Sequence, residues 1–470
     1  MNEQPRRFLE RVWRSVRPAA TATSGRDADD LIDLCDSLLS ERGEVSSARI
    51  GAEAVKAYEQ LTDAGREVFF SKLVDDYGAD ASAVTRAIDV YRAEPSATHL
   101  AGLHMATESR RQELFRRLNT GAGGTRLLVR MRADLLPTLA EHPERSAVDA
   151  DLKHLFRSWF NRGFLVLQRI EWRTSALILE RLIEYEAVHQ IQGWDDLRRR
   201  LDPDDRSCFA FFHPSLIDEP LIFVEVALMG DIPGAIDQVL DEAPKNGESS
   251  GTPTTAVFYS ISNCQEGLRG ISFGNFLIKQ VVEDLVKERP SLRTFVTLSP
   301  VPNFADWLDA ALASSDSGRL ASAEERERLA VLSDPDWASS EAVAEGLRPL
   351  LLRLAASYFL TERAGDGRPL DSVARFHLGN GARLERINWL GDTSPKGLKE
   401  AHGLMVNYRY ELKDIERNHE AYANEAHVTA SRQVHALLKQ RAKPRAEPAA
   451  TKLLQRLRPA KSGADQPEGS

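Results

Sequence analysis

Residues 258–285 read FYSISNCQEGLRGISFGNFLIKQVVEDL. A strand-like run ends near Ser262, and a loop carrying Gly267, Gly270 and Gly274 follows it. From about Asn275 the texture is helical. Leu277, Ile278, Val281, Val282 and Leu285 recur at three- and four-residue steps, the apolar stripe of one helix face. Glu283 and Lys287 are spaced to pair on its wet side. Strand, glycine loop and helix in this order form one unit of an α/β sheet. Glycine lets backbone approach a ligand closely, and a helix N-terminus presents unpaired N–H groups at its positive end. A phosphate cradle and a simple tight turn fit the loop equally well. Its spacing matches neither GxGxxG nor GxxxxGK[ST], so neither dinucleotide fingerprint nor P-loop is present.

Outward from this unit the same alternation continues. Strand-like runs occur at FLVLQRIEW, CFAFF, PLIFVEVAL, TAVFYSIS, TFVTLS, VARFHL and ARLERINWL. Helical patterns lie among them at SALILERLIEY, FADWLDAAL, EERERLAVL and AVAEGLRPLLLRLAASYFL. The segment DEAPKNGESSGTP reads as a surface loop. Before residue 160 the chain is helical throughout, as in DLIDLCDSLLS, EVFFSKLVDDY and ESRRQELFRRL, the last stopped by Asn119 and GAGG. After residue 440 low apolar content with Pro, Ala, Lys and Glu predicts a disordered tail. The expected organisation is α+β: an all-helical packing or assembly domain over 1–160, a mixed α/β domain over 161–440, and the tail over 441–470.

The totals exclude several classes. A chain of 470 residues with 42% hydrophobic and 28% charged residues has the make-up of an ordinary globular protein. A net charge of −9 argues against a nucleic-acid surface, and no run approaches the ~20 apolar residues that span a bilayer. Cys35, Cys208 and Cys264 are too scattered for a disulfide framework, and neither they nor the eleven histidines have metal-ligand spacing. The expectation is a cytoplasmic protein with no metal and no cofactor. The first twenty residues read as a solvated helix rather than a leader, and the final PEGS is no peroxisomal SKL address.

FVTLSPVPNF, residues 295–304, ends a strand on Ser299 and follows it with Pro300 and Pro302. Proline fixes its own φ and pushes the preceding residue toward extended geometry, so the Ser299 hydroxyl is held at the strand end. Most strand-end serines are punctuation, and on pattern alone His377 is a satisfied sheet histidine. His213 reads as a structural histidine at a turn, and Asp218 and Glu219 as solvated acids before Pro220. Tyr408 and Tyr410 read as core, Arg409 as a surface ion pair, and Cys208 and Cys264 as small buried fillers.

Five ordered blocks change these weights. FFHPSLIDEPLIFVEVAL, FYSISNCQEGLRGISFGNFLIKQVV, TLSPVPNF, ARFHLGNGARLERINWLGDTSPKG and GLMVNYRY together resemble the malonyl-CoA decarboxylase family. The resemblance covers most of residues 161–412, and the helical region before it resembles the family's N-terminal domain more weakly. It implies a GNAT acyltransferase-like catalytic domain, a helical domain that makes oligomer contacts (a dimer or tetramer), and conversion of malonyl-CoA to acetyl-CoA and carbon dioxide. By position it implies Ser299 as catalytic serine, His377 as catalytic histidine and Tyr410 as a supporting tyrosine. It also implies a CoA-facing loop at Arg269, Gly270, Ile271, Ser272, Phe273, Gly274 and Asn275. Some members carry a glutamate where Ser272 stands here.

The chemistry implied is economical. Loss of carbon dioxide leaves charge on the α carbon and thioester oxygen, which oriented hydrogen-bond donors stabilise. A group such as imidazole then protonates the carbon. Two other functions remain on the same residues: an acyltransferase that needs an amine acceptor, and a CoA-sensing protein without turnover.

Overall fold

The computed structural model describes residues 24–40, 44–240, 252–271, 273, 277–314 and 320–439. The expected loop at 241–251, the tail from 440 onward, and Ser272, Gly274 and Asn275 of the glycine loop lie outside the described residues.

Eight α-helices precede the first strand among the described residues: Ser24–Ser40, Glu44–Gln60, Asp63–Asp75, Ala81–Ala93, Ala97–Thr107, Arg110–Thr120, Gly124–Leu135 and Ser146–Trp159. Several start where a side chain takes over the orphan N–H groups of the first turn. Thr62 accepts from the Gly65 N–H, Asp80 from Ser82 and Ala83, and Ser96 from His99. Gly123 opens the Gly124–Leu135 helix at φ 79°, a left-handed turn suited to glycine.

Eight strands follow: β1 (Val166–Ile170), β2 (Arg206–Phe212), β3 (Ile222–Met229), β4 (Thr255–Asn263), β5 (Thr294–Thr297), β6 (Ser299–Pro300), β7 (Arg383–Asn388) and β8 (Met405–Arg409). They form one sheet in the order β1-β2-β3-β4-β5-β8-β6, with β7 also paired to β8. The pair β4–β5 is parallel and the rest are antiparallel. The helix Leu277–Glu288 makes the crossover that a parallel pair requires, and its buried residues are the apolar stripe read from the sequence. The β4–β5 ladder stops at Phe258 opposite Thr297, whereas β4 runs on to Asn263 beside β3. Beyond that point β4 and β5 no longer pair in the ladder.

A continuous apolar core runs from Ala28 and Leu31 through Phe156 and Phe160 into Phe209, Phe258 and Leu437. It joins the helical region to one face of the sheet. Part of the other face is covered by the helices Ala176–Tyr185 and Trp194–Leu201, whose Ile178, Leu182 and Leu197 pack with Cys208 and Cys264.

The sequence reading needs three corrections. VARFHL is not a strand but most of the helix Ser372–Gly379: Asp371 caps it by accepting the Ala374 N–H, and Ala374, His377 and Leu378 share its buried face. Lys287 pairs with Asp284, one turn back, rather than with Glu283. Glu219 is held by Arg181 and the Tyr185 hydroxyl instead of standing free in water.

Candidate active site

Ser299 comes one residue after β5 and opens β6, pairing with Val406 of β8. Two residues earlier, on the same side of the extended chain, stands Thr297. The Ser299 hydroxyl donates to Thr297 Oγ1 at 2.8 Å, and the Tyr408 main-chain N–H donates to that same oxygen at 3.1 Å. The Asn407 side-chain amide holds the Thr297 carbonyl at 2.7 Å, so strand position and side-chain rotamer are both fixed.

His377 comes from the last turn of the Ser372–Gly379 helix, 78 residues further along the chain. Its Nε2 lies 3.2 Å from Ser299 Oγ, and its Nδ1 lies 2.8 Å from the Tyr410 hydroxyl. The ring stacks on Tyr408, with centroids 4.6 Å apart and planes 24° apart. Tyr410 leaves the end of β8 and is steadied by the edge of Phe258 on β4. Ser299, His377 and Tyr410 are all buried, at 5%, 3% and 2% exposure.

These contacts have one consistent direction. The Tyr410 O–H finds its acceptor in His377 Nδ1, which leaves the neutral ring's proton on Nε2, facing Ser299. Ser299 then passes its own hydroxyl proton toward Thr297. Burial pushes the His377 imidazole down to about 3, so the ring is neutral at physiological pH. Burial also pushes the Tyr410 phenol above its ordinary range, so it is protonated. The result is a buried, uncharged relay from Tyr410 to Ser299.

Asp371 supports it from behind. This buried carboxylate caps the helix that carries His377, and burial raises its pKa to about 6. Sequence reading missed Thr297, Tyr408 as a stacking partner and Asp371. The two-residue step from Thr297 to Ser299 and the Asp371-x-x-Ala374 cap were the available signals.

The glycine loop leaves the C-terminal end of β4, and Ser299 follows the C-terminal end of β5. Because these strands are parallel, both lie at the same edge of the sheet, where open sheets place their ligands. Arg269 is exposed with an ion-pair contact to Glu266, and Gly270 adopts φ 76° with open space where a Cβ would stand. Ile271 and Phe273 are packed into the core, and the Ile271 N–H already donates to the Leu268 carbonyl. Ile271 thus anchors the loop from within the core. Gly267 is explained by packing rather than ligand approach: a Cβ there would stand 1.8 Å from the Val129 carbonyl oxygen.

The remaining candidates are structural. His213 bridges the Trp159 carbonyl and the Ser215 N–H, and Arg409 pairs with Glu411 and Glu385. Cys208 and Cys264 are buried thiols whose pKa burial pushes well up. Among the described residues no helix is long and apolar enough to cross a membrane, and no cluster of three metal-ligating side chains is found.

Comparison with known proteins agrees over most of the chain. The profile of the malonyl-CoA decarboxylase C-terminal domain matches residues 163–448, and that of the N-terminal domain matches 77–160. The mitochondrial malonyl-CoA decarboxylase of Anser anser anser is 34% identical over 478 residues, covering 92% of this chain and 94% of its own. That of Rattus norvegicus is 39% identical, covering 72% and 73%. The crystal structure of malonyl-CoA decarboxylase from Rhodopseudomonas palustris superposes with TM-score 0.83 at 52% identity, covering 88% of this chain and 99% of that one. The one from Agrobacterium vitis gives 0.82 at 56% identity, covering 87% and 100%. With both of its regions matched and its fold shared at such identity, the chain belongs to the malonyl-CoA decarboxylase family.

Proposed function

We propose that this chain decarboxylates malonyl-CoA to acetyl-CoA and carbon dioxide with Ser299 and His377 as the catalytic pair. The carrying observation is the 3.2 Å approach of Ser299 Oγ to His377 Nε2 inside a buried relay. Loop residues 269–275 hold the CoA moiety at the shared edge of β4 and β5. The Ser299 hydroxyl turns from Thr297 to the substrate carboxylate or thioester. In this apolar setting the carboxylate loses water, which favours release of neutral carbon dioxide. The C–C bond breaks, its electron pair passes to the α carbon and thioester oxygen, and carbon dioxide leaves. His377 Nε2 then gives its proton to the α carbon while Nδ1 takes the Tyr410 phenol proton, so the ring stays neutral. When acetyl-CoA leaves, Nδ1 returns its proton to the phenolate and water reprotonates Nε2, which restores the starting tautomer.

The test is incubation with malonyl-CoA alone, following acetyl-CoA. Formation without an acceptor is the expected result. Strict dependence on an amine acceptor, or saturable binding with no turnover, overturns the proposal.

We further propose a cytoplasmic homo-oligomer assembled through the helical region. The hairpin Ala81–Ala93 and Ala97–Thr107 buries none of its residues, yet exposes Val90, Leu100 and Met105, the last at 74%. Apolar groups exposed along a helical hairpin fit contact with a second copy. Sedimentation of the parent and of a Leu100→Glu/Met105→Glu double variant should show a shift toward monomer. The free, buried thiols are compatible with a reducing compartment, which fractionation of the source cell checks.

A further inference from the structure

We infer that Arg132, a residue of the helical region, is a positioning residue for the CoA loop; this rests on the reading of residues 269–275 given above. Arg132 lies in the last turn of the Gly124–Leu135 helix and is only 1% exposed. Its Nη1 donates to the carbonyl of Gly267 at 2.6 Å and to that of Arg269 at 2.9 Å, gripping the turn on both sides of Leu268. Its Nε donates to Asp149 at 2.7 Å. Burial works to raise the Asp149 pKa, but hydrogen bonds from Lys153 and Arg132 hold it below its usual value, so it stays a counter-ion.

The grip has a steric counterpart. Gly267 sits so close to the Val129 carbonyl of the same helix that no Cβ fits between them. Two independent contacts, one polar and one steric, thus fix the loop's entry against the helical region immediately before Gly270. A planar guanidinium meets both demands because its fork is rigid; a lysine ammonium is a point charge and cannot hold Asp149 and two carbonyls in the same geometry. The helical region therefore completes the CoA site rather than serving assembly alone. Through Asp149 of the Ser146–Trp159 helix, a second segment of that region shares in the fixing.

The test uses the full chain. Arg132→Lys should raise KM for malonyl-CoA, and the Kd for free CoA, about tenfold while kcat stays within threefold, a shift equal to about 1.4 kcal/mol. Asp149→Asn, which keeps the shape but not the charge, should move KM the same way by less. A folded Arg132→Lys chain with the parental KM and Kd overturns the inference. Should that variant not fold, hydrogen exchange on the parent chain decides: free CoA should slow the amides of 268–271 and those of 129–135 together. Loop protection without helix protection overturns the role of Arg132 alone. Absence of loop protection, with CoA bound, overturns the loop reading itself. A parent chain that binds CoA with both protections yet forms no acetyl-CoA sinks the decarboxylase reading and leaves Arg132's role standing.

Discussion

The relay predicts a specific cost for Tyr410→Phe. The substitution removes one oxygen and leaves the ring in place against Phe258 and His377. The lost contact is the 2.8 Å bond to His377 Nδ1. Because the imidazole is buried, Nδ1 is left as an unsatisfied acceptor, which costs about 1–3 kcal/mol. At 1.4 kcal/mol per factor of ten that is roughly 5- to 150-fold. The loss should fall on kcat, since the phenol proton replaces the one given to carbon and Nδ1 is the nitrogen turned away from Ser299. KM should stay within about threefold, because the CoA loop is anchored elsewhere. The assay is acetyl-CoA formation at saturating malonyl-CoA, with a thermal melt to verify folding. A folded Tyr410→Phe chain with kcat within twofold of the parent would refute the ordered relay.

Three further outcomes are expected. His377→Ala should lower kcat by ~10²–10⁴-fold, the usual worth of a general acid, while CoA affinity measured by calorimetry changes little; parental turnover overturns its assignment. Gly270→Val, at φ 76°, forces a left-handed backbone costing roughly 1–2 kcal/mol and should mainly weaken CoA binding, whereas unchanged affinity moves the cradle elsewhere. His377 also makes a pH prediction: its folded pKa, about 3, lies below the unfolded 6.5, so between those values the unfolded chain binds a proton that the folded chain refuses. The stability it contributes is full above pH 6.5 and falls at up to about 1.4 kcal/mol per unit below it. Guanidinium titrations of the parent and His377→Gln from pH 7 to 4 should differ in slope by about one proton; equal slopes would count against the buried neutral ring.

The sheet was legible because its strands announce themselves through β-branched and aromatic runs, as in IFVEVALM and TAVFYSIS. The helix carrying His377 was hidden for a definite reason. VARFHL holds β-favouring Val and Phe in a short apolar run, and over so few residues helix and strand periods overlap. What decides it is outside the run: the Asp371 cap and burial of Ala374, His377 and Leu378 together. Ser299, His377 and Tyr410 were singled out as candidates through family blocks and not through local pattern, since each has an ordinary structural role as its commoner reading. Thr297 escaped both approaches. Its importance arises from a hydroxyl–hydroxyl contact and a main-chain N–H from β8, and that partnership exists only once the strands have paired. Arg132 is invisible for the same reason, being 135 positions from the first carbonyl it holds.

The unbroken apolar interior has a consequence for synthesis. Helices made first leave the ribosome with part of their apolar surface uncovered, because sheet residues of the same core, such as Phe209 and Phe258, have yet to be translated. A fragment ending near residue 160, or one beginning there, would carry a raw greasy wall. Split expression of the two halves should therefore yield aggregates, with recovery only when both pieces are produced together.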